Sequence, residues 1–372
     1  IEHPALTLVM TTDEETGMNG ARAVDPALLD ADCLVNLDSE EEGVLLAGCA
    51  GGVRVDVCMS GNVLRMRGRR AVLKIEGLLG GHSGMEIVKE RGNAVLIAGR
   101  ILQALRDDGC VFGIAGASGG DADNAIPAAT AVDLVFPADE ENGIRRAQET
   151  IRCEAAAIRR ELGRRDPDLT CALVRPGSSD PADGTEPVSD GVPVLDEDLA
   201  ERTAAFLCTA PNGVQSMSAD LPGLVETSLN LGVMRTELPD RAELCFGFAL
   251  RSSRESARDA LRRRLELLAG RFGAESTISG EYNGWAFDPD SRICGHFADT
   301  WERMNGSRPR IEAIHAGLEC GLFRGLKPGL DCVSLGPDLE HVHTTKERMH
   351  IASAGRTWAF LLEALRTWDV KK

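Results

Sequence analysis

Acidic residues follow two apolar runs near the start of the sequence. Residues 6–10 lead into Glu14 and Glu15, and residues 33–37 lead into Asp38. Apolar, β-branched runs of this length predict two buried strands of an α/β sheet, and such sheets carry their chemistry at the carboxyl ends of the strands. If the backbone stays extended, the two neighbouring glutamates point to opposite sides. One of them can then bind a cation while the other faces a water molecule beside it.

The alternative is that these carboxylates are solvated loop residues, which is the commoner outcome for a single acidic pair at a strand end. Two such clusters, at the ends of two successive strands, weaken that alternative without removing it. By their chemistry, Glu15, Asp38 and a histidine from elsewhere in the chain predict an oxygen-rich site for a transition metal.

A series of short motifs extends this pattern along the whole chain. The sequence resembles the aminoacyl-histidine dipeptidases, also called cytosol non-specific dipeptidases, a branch of the dinuclear zinc peptidases. The motifs that carry the resemblance occur in the order TDEETGM (12–18), NLDSEEEG (36–43), GCAGG (48–52), GGHSG (80–84), NAIP (124–127), PNGV (211–214), VETSLN (225–230), HAGLECG (315–321) and SLGP (334–337).

The resemblance implies a hydrolytic metal site. It makes Glu14 the general base and Glu15, Asp38 and His343 the metal ligands. The ion would lower the pKa of a bound water to about 7, and Glu14 would pass its proton to the leaving amine. The family holds two zinc ions (Zn²⁺), about 3.5–4 Å apart in such sites, and carboxylate and imidazole ligands suit manganese or cobalt as well.

The resemblance also implies residues that contact the dipeptide substrate. His82 would steady the carbonyl oxygen of the tetrahedral intermediate, often by reaching into the active site of the partner subunit. Asn124 and Arg251 would bind substrate, with Arg251 as a bidentate clamp for a free carboxylate unless it simply pairs with a nearby acid. His315 and Glu319 would lie near the same rim, and Glu319 could instead cap a helix.

Two further histidines lie close to the predicted ligand His343. If the segment around His341 and His343 is a strand, both rings share a face and could bind one ion. The family pattern aligns at His343 alone, so His341 is interpreted as a surface residue. His350 precedes the last predicted helix and is interpreted as structural.

Composition limits the classes of partner. The 372 residues are enough for two domains, and 58 acidic against 41 basic residues give a net charge of −17, which opposes binding to nucleic acid or anionic membranes. No apolar run has the length of a transmembrane helix and no signal peptide opens the sequence, so we expect a cytoplasmic protein. Eleven scattered cysteines without a Cys-x-x-Cys pair predict reduced thiols, with Cys33, Cys245 and Cys332 in apolar runs.

The order of patterns predicts an α/β, zinc-peptidase-like catalytic domain that is interrupted by an inserted α+β lid or dimerisation domain. The catalytic domain takes residues 1–52 and 282–372, the lid takes 53–281, and the family implies a homodimer. We expect an exposed, mobile connection at 175–194. The other predicted strands are 53–57, 71–75, 225–233, 242–250, 311–315 and 332–335, and the predicted helices are 19–29, 93–105, 140–162, 196–207, 256–268, 291–304 and 351–368.

The sequence therefore predicts a metallodipeptidase that hydrolyses Xaa-His and other short unblocked dipeptides. A deacylase or aminoacylase of the same clan is the alternative enzyme. A second alternative is a catalytically incomplete fragment or pseudoenzyme. The family has an upstream His-x-Asp motif and a bridging Asp, whereas Ile1 lies close to a predicted core strand and none of the seven histidines has Asp two places later.

Overall fold

The computed structural model describes residues 2–15, 17–138, 142–182, 187–238 and 241–368. The strands of this part of the chain are β1 (Cys33–Asn36), β2 (Val44–Cys49), β3 (Gly51–Ser60), β4 (Val63–Glu76), β5 (Gly81–His82), β6 (Gly113–Gly119), β7 (Ala125–Ile126), β8 (Thr130–Pro137), β9 (Thr170–Val174), β10 (Pro187–Leu195), β11 (Gly213–Met217), β12 (Val225–Glu237), β13 (Glu243–Ser252), β14 (Glu275–Tyr282), β15 (Arg310–Ile314), β16 (Asp331–Ser334), β17 (Leu339–Glu340) and β18 (Arg348–Met349). The α-helices are α1 (Asn19–Arg22), α2 (Ala94–Asp107), α3 (Gly143–Leu162), α4 (Glu197–Thr209), α5 (Glu255–Arg271), α6 (Arg292–Asn305), α7 (Glu319–Leu326) and α8 (Ile351–Thr367).

A four-stranded sheet forms the centre of the first unit, in the order β1-β16-β2-β15. Strand β1 runs parallel to β16, and β15 runs parallel to β2. Because side chains alternate along a strand, Leu45 packs on one face with Phe297 and Phe360 of α6 and α8, while Leu46 packs on the other face with Phe323 of α7. The unit is thus an α/β/α layer, which confirms the predicted fold class of the catalytic part.

A ten-stranded sheet forms the second unit, in the order β10-β4-β8-β6-β12-β13-β3-β14, with β11 paired to β12 and β9 to β4. Strand β3 shows how its faces differ: Val55 and Val57 are buried in a core shared with helices α2 to α5, whereas Arg54 and Asp56 are exposed. One face therefore packs on helices and the other is wet, as the alternating sequence pattern predicted. This is the expected α+β insertion.

The chain enters and leaves the second unit at one place. The Cys49 amide donates to the Trp285 carbonyl at 2.8 Å, and the Trp285 amide donates back at 2.9 Å. Next to this pair, a Cβ at Gly51 would collide with the backbone nitrogen of Gly284, so only glycine allows the two connections to lie so close. The domain boundaries at residues 52 and 282 stay a prediction, and this crossing supports them.

The predicted strand at residues 6–10 is wrong. These residues belong to none of the sheets in the described part of the chain, and the side chains of Leu8 and Met10 are 86% and 92% exposed. A strand needs a neighbour to satisfy its backbone groups, and the edge of β1 is not paired with this run. Local apolar character alone does not supply that partner.

Two other segments also differ from expectation. The helix predicted at 19–29 is only the short α1. A 3₁₀ turn, Pro26–Leu28, follows it, and the side chain of Asp25 caps this turn by accepting a hydrogen bond from a backbone amide. The connection predicted at 175–194 contains β10, which pairs antiparallel with β4, while residues 183–186 lie outside the described part. The long exposed edge of β4 provides hydrogen bonds that a polar segment can use. The strand predicted at 71–75 is part of the much longer β4, which already begins at Val63. The other predicted helices and strands are confirmed to within a few residues at each end.

The prediction that all cysteines are reduced is wrong for one pair. Cys58 and Cys245 form a disulfide between β3 and β13, where they lie directly opposite each other with a Cα–Cα distance of 4.1 Å. The other nine cysteines, including Cys33 and Cys332, are not in disulfides. Among the helices described, none combines the length and the apolar character that crossing a bilayer would require.

Candidate active site

A cleft of about 510 Å³ collects most of the predicted site residues. One side comes from loops of the α/β unit and the other from the wet face of the lid sheet. The predicted residues that line it are Glu14, Glu15 and His343 from the first unit and His82, Asn124 and Arg251 from the second. Residues from distant parts of the sequence therefore meet in one place.

The segment that carries Glu14 and Glu15 is a tight turn rather than extended backbone. Both the Gly17 and the Met18 amides donate to the Glu14 carbonyl, at 3.1 and 2.8 Å. Asp13 and Met18, on either side of the turn, have the left-handed φ values 58° and 57°. The expectation that the two glutamates point to opposite sides is therefore wrong, and both side chains line the cleft.

His343 lies beside the acidic turn. Its Nδ1 is 3.0 Å from Oε2 of Glu15, and its backbone amide donates to Glu347 at 2.9 Å. His341 and His343 have positive φ values of 56° and 61°, so the segment is a turn and the shared face expected of a strand does not exist. Left-handed backbone at non-glycine residues costs about 1–3 kcal/mol each and tends to persist at functional sites.

Five carboxylates interact electrostatically around the acidic turn and Asp38. The pKa of Asp38 is raised, first by burial and then by the charges of Glu319, Glu15 and Glu40. The pKa of Glu14 is raised as well, first by burial and then by Asp38 and Glu15, while His343 lowers both values. The site has an excess of negative charge, which favours a cation.

The donor types fit a divalent metal ion, since carboxylates and an imidazole suit zinc, manganese or cobalt. Within the residues that the structure describes, however, no three His, Cys, Asp or Glu side chains are arranged to hold an ion. Glu15 and His343 are adjacent, and Asp38 is close enough for its pKa to respond to both. The ligand set Glu15, Asp38 and His343 stays a prediction that the charge and the donor chemistry support.

His82 lines the cleft, and two backbone amides fix one nitrogen of its ring. Its Nδ1 accepts hydrogen bonds from the amides of Gly84 and Met85, at 3.3 and 3.2 Å. The pKa of His82 is lowered, first by burial and then by Arg251, so the ring is neutral near pH 7. With Nδ1 as acceptor, the proton of the neutral ring is on Nε2, which can donate to an oxygen in the cleft.

Asn124 belongs to the same local unit as His82. The pairing of β5 with β7 sets His82 opposite Ala125, and the Ser83 amide donates to the Asn124 carbonyl at 2.8 Å. The buried Asn230 donates from Nδ2 to the carbonyls on either side of Asn124, both at 2.8 Å. This network holds the predicted substrate-binding loop in place.

Arg251 is the next-to-last residue of β13 and has no acidic partner among the described residues. Its Nη1 donates to the hydroxyl of Tyr282 at 3.1 Å, and its Nε is buried with no hydrogen-bond partner there. The commoner alternative, an ion pair with a nearby acid, is therefore not what the structure shows. The sequence reasoning missed Tyr282, which lies outside every motif and lines the cleft. The sequence feature that sets Tyr282 apart is that it is the single tyrosine of the chain.

His315 and Glu319 are not among the residues that line the cleft. His315 is 6% exposed, its Nε2 lies 2.7 Å from the Ser228 hydroxyl, and burial together with Arg251 lowers its pKa to about 3. Glu319 accepts from the Thr11 hydroxyl at 2.6 Å and provides no cap for α7. Their role in substrate binding stays a prediction. His350 caps α8 by accepting from the Ser353 amide, which confirms its structural role.

Comparisons with a family model, with a curated protein and with solved structures all point to the same family. Residues 73–161 match the family model described as a peptidase dimerisation domain of M20 type. The cytosol non-specific dipeptidase of Escherichia coli K12 is 32% identical over 374 residues, which cover 100% of this chain and 73% of that protein. The crystal structure of the aminoacylhistidine dipeptidase from Vibrio alginolyticus superposes with a TM-score of 0.84 at 34% identity, covering 96% of this chain and 70% of that one.

Proposed function

Because this chain belongs to the cytosol non-specific dipeptidase family of M20 peptidases, we propose that it hydrolyses Xaa-His and other short unblocked dipeptides with the help of a divalent metal ion. Zinc is the proposed metal, with manganese or cobalt as substitutes that the same ligands accept. Membership of the family makes the chain a metallopeptidase of dipeptidase type. The substrate preference, the metal and the residue roles are the proposed part.

The observation that carries the proposal is that both units contribute charged side chains to one cleft. Glu14, Glu15 and His343 line the cleft from the first unit, and Arg251, whose Nε has no partner among the described residues, lines it from the lid. A guanidinium edge is suited to a free carboxylate, which every unblocked dipeptide carries. A cleft of about 510 Å³ also has the size of a small-ligand site.

Each residue then has a defined task. Glu15, Asp38 and His343 would hold the ion, which supplies Lewis acidity and lowers the pKa of water. Glu14 accepts the proton of the attacking water and gives it to the leaving amine. His82 donates from Nε2 to the carbonyl oxygen as negative charge develops there. Arg251 and Asn124 hold the substrate so that its peptide bond faces Glu14.

Hydrolysis of defined dipeptides by the purified chain tests this proposal. The chain is stripped with a chelator, supplied with zinc, manganese or cobalt, and given Ala-His, carnosine and Ala-Leu, with N-acetyl-Ala-His as the blocked control. We expect turnover of the unblocked dipeptides only, and loss of turnover when the chelator is present. Turnover of N-acetyl amino acids without dipeptide turnover would instead identify the deacylase or aminoacylase alternative.

A catalytically incomplete chain is the second candidate, and the lack of three converging donors among the described residues favours it. Elemental analysis of the purified chain separates the two candidates. Two ions per chain together with dipeptide turnover would exclude the incomplete chain. Absence of both bound metal and turnover would support a fragment or a scaffold and overturn the enzymatic proposal.

The proposed assembly is a homodimer in the cytoplasm. The match of residues 73–161 to a dimerisation domain supports the homodimer, and the E. coli relative is described as a cytosolic enzyme. The net charge of −17 supports a partner that is neither nucleic acid nor an anionic membrane. Because His82 lines the cleft of its own chain, the proposed mechanism needs no histidine from the partner subunit. Analytical ultracentrifugation measures the assembly directly, and a single species of monomer mass would contradict the dimer.

A further inference from the structure

Arg251, Gly52 and Tyr282 lie side by side on three adjacent strands. The register of β13 with β3 sets Arg251 opposite Gly52, and the register of β14 with β3 sets Tyr282 opposite the same glycine. Neighbouring strands are about 4.8 Å apart, so Arg251 and Tyr282 are separated by the width of one strand. Their side chains can therefore meet only above position 52.

The absence of a side chain at position 52 makes this meeting possible. A Cβ at Gly52 would lie 2.5 Å from Cε1 of the Tyr282 ring and 2.7 Å from its hydroxyl oxygen. The ring thus occupies the space that any other residue at position 52 would fill. From there, the Tyr282 hydroxyl accepts the hydrogen bond from Arg251 Nη1 at 3.1 Å.

The Tyr282 ring is also confined on its other edge and through its backbone. A Cβ at Gly317, in the loop after β15, would lie 3.0 Å from Cε2 of the ring. Arg258 of α5, which is 3% exposed, donates from Nη1 to the Tyr282 carbonyl at 2.6 Å. The hydroxyl is therefore held in one position before any ligand arrives, which limits the ordering that binding requires.

This contact determines which edge of the Arg251 guanidinium is available. Nη1 is used by Tyr282, whereas Nε is buried without a partner among the described residues. A guanidinium binds a carboxylate through two parallel N–H groups, and the Nε edge is one such pair. A buried donor without a partner is unfavourable, so this edge is suited to a ligand that brings an anionic oxygen.

We propose that Tyr282 is a positioning residue that turns the Nε edge of Arg251 toward the free carboxylate of the substrate. This inference rests on the proposed function, in which Arg251 binds that carboxylate. Tyr282 touches Arg251 rather than the reacting atoms. Its loss should weaken substrate binding and leave the chemical step nearly unchanged.

The first test is Tyr282→Phe, which keeps the ring between the two glycines and removes only the hydroxyl. For Ala-His hydrolysis by the zinc-loaded chain, we expect KM to rise about tenfold, as for loss of a hydrogen bond to a charged group, and kcat to stay within about twofold. Gly52→Ala should give the same pattern, because its methyl group displaces the ring while Arg251 and Tyr282 are both retained.

A double-mutant cycle shows whether Tyr282 acts through Arg251. In an Arg251→Lys background, Tyr282→Phe should add less than about twofold to KM, because the fork that Tyr282 orients is already gone. Full additivity of the two effects would assign Tyr282 a general structural role and overturn the proposal. An unchanged urea midpoint for Tyr282→Phe would show that the variant is folded.

Since the chain has a single tyrosine, 3-fluorotyrosine gives one ¹⁹F resonance that reports on this contact. We expect this resonance to shift in Arg251→Lys and on titration of the zinc-loaded chain with free histidine, which carries the same carboxylate. A resonance that ignores both changes would overturn the inference. Absence of dipeptide turnover by the unaltered chain would overturn the proposed function, whereas normal turnover with an unchanged KM in Tyr282→Phe would overturn this inference alone.

Discussion

Nδ1 of His343 lies 3.0 Å from Oε2 of Glu15, so the beginning and the end of the sequence provide neighbouring donors of one site. Both side chains are largely exposed, and the electrostatic attraction between them is correspondingly screened. The contact therefore depends on the folding of the two turns that carry these residues. The exposure of Glu15 and His343 leaves both side chains open to a ligand, and their contact adds little to the free energy of unfolding.

Glu14→Gln should abolish dipeptide hydrolysis while the chain keeps its metal. The amide cannot accept the proton of the attacking water, so we expect kcat to fall by about 10²–10⁴-fold. Elemental analysis and Ala-His turnover measure the two properties on one sample. Glu149→Gln, on the exposed face of α3, is the matched control and should keep its activity. Unchanged turnover in Glu14→Gln would refute the assignment of the base.

Arg251→Lys should raise KM for unblocked dipeptides about 10–100-fold with a smaller effect on kcat. Lysine keeps the charge but loses the planar fork that pairs with a carboxylate, and a hydrogen bond to a charged group contributes about 1.5–3 kcal/mol. Steady-state kinetics with Ala-His measure the change. Arg152→Lys changes an exposed arginine of α3 and should leave KM unaltered. Equal KM values for both variants would remove Arg251 from the substrate site.

The buried His315 should make the protein less stable in mild acid. Its pKa in the folded state is about 3 against an ordinary value of 6.5, because burial and Arg251 disfavour the charged ring. At a pH between these two values the unfolded chain binds a proton on His315 that the folded chain does not. The contribution of the neutral His315 to the free energy of unfolding is therefore complete above pH 6.5 and is lost as the pH falls toward 3.

Urea unfolding at pH 7 and pH 5.5 measures this effect. We expect the free energy of unfolding to fall by about 1 kcal/mol from this residue over that interval. His315→Gln should lose that part of the pH dependence, although it is less stable at both pH values because the bond to Ser228 changes. His3→Gln, at an exposed position, should keep the full dependence. The same pH dependence in both variants would contradict the assignment.

The Cys58–Cys245 disulfide should be detectable by counting thiols. In denaturant, a thiol reagent should titrate nine groups before reduction and all eleven cysteines after it. The bridge closes a segment of 187 residues, and opening it should lower the free energy of unfolding by about 2–4 kcal/mol. Cys58→Ser should be equally destabilised and insensitive to dithiothreitol. Eleven thiols titrated before reduction would show that Cys58 and Cys245 are not bonded to each other, as is usual for cysteines of cytosolic proteins.

Local patterns in the sequence predicted the secondary structure wherever a segment carries its own signal. The amphipathic helices α2, α3 and α8 and the alternating strand β3 lie within a few residues of the predicted bounds, because burial on one face imposes a period on the sequence. Residues 6–10 show where this reasoning fails, since an apolar run forms a strand only beside a partner strand. No local pattern contains that information.

The sequence by itself determined the residue types of the site and the order of its elements: the acidic pair Glu14 and Glu15, the glycine-rich loop of His82, and the arginine near the end of β13. The tertiary structure alone decided that Tyr282 reaches Arg251 over Gly52 and that Cys58 faces Cys245. Both pairs depend on the register between strands that are far apart in sequence. Periodicity acts over a few residues, whereas register is set by the packing of whole sheets, and this is why the second kind of information appears only in the folded chain.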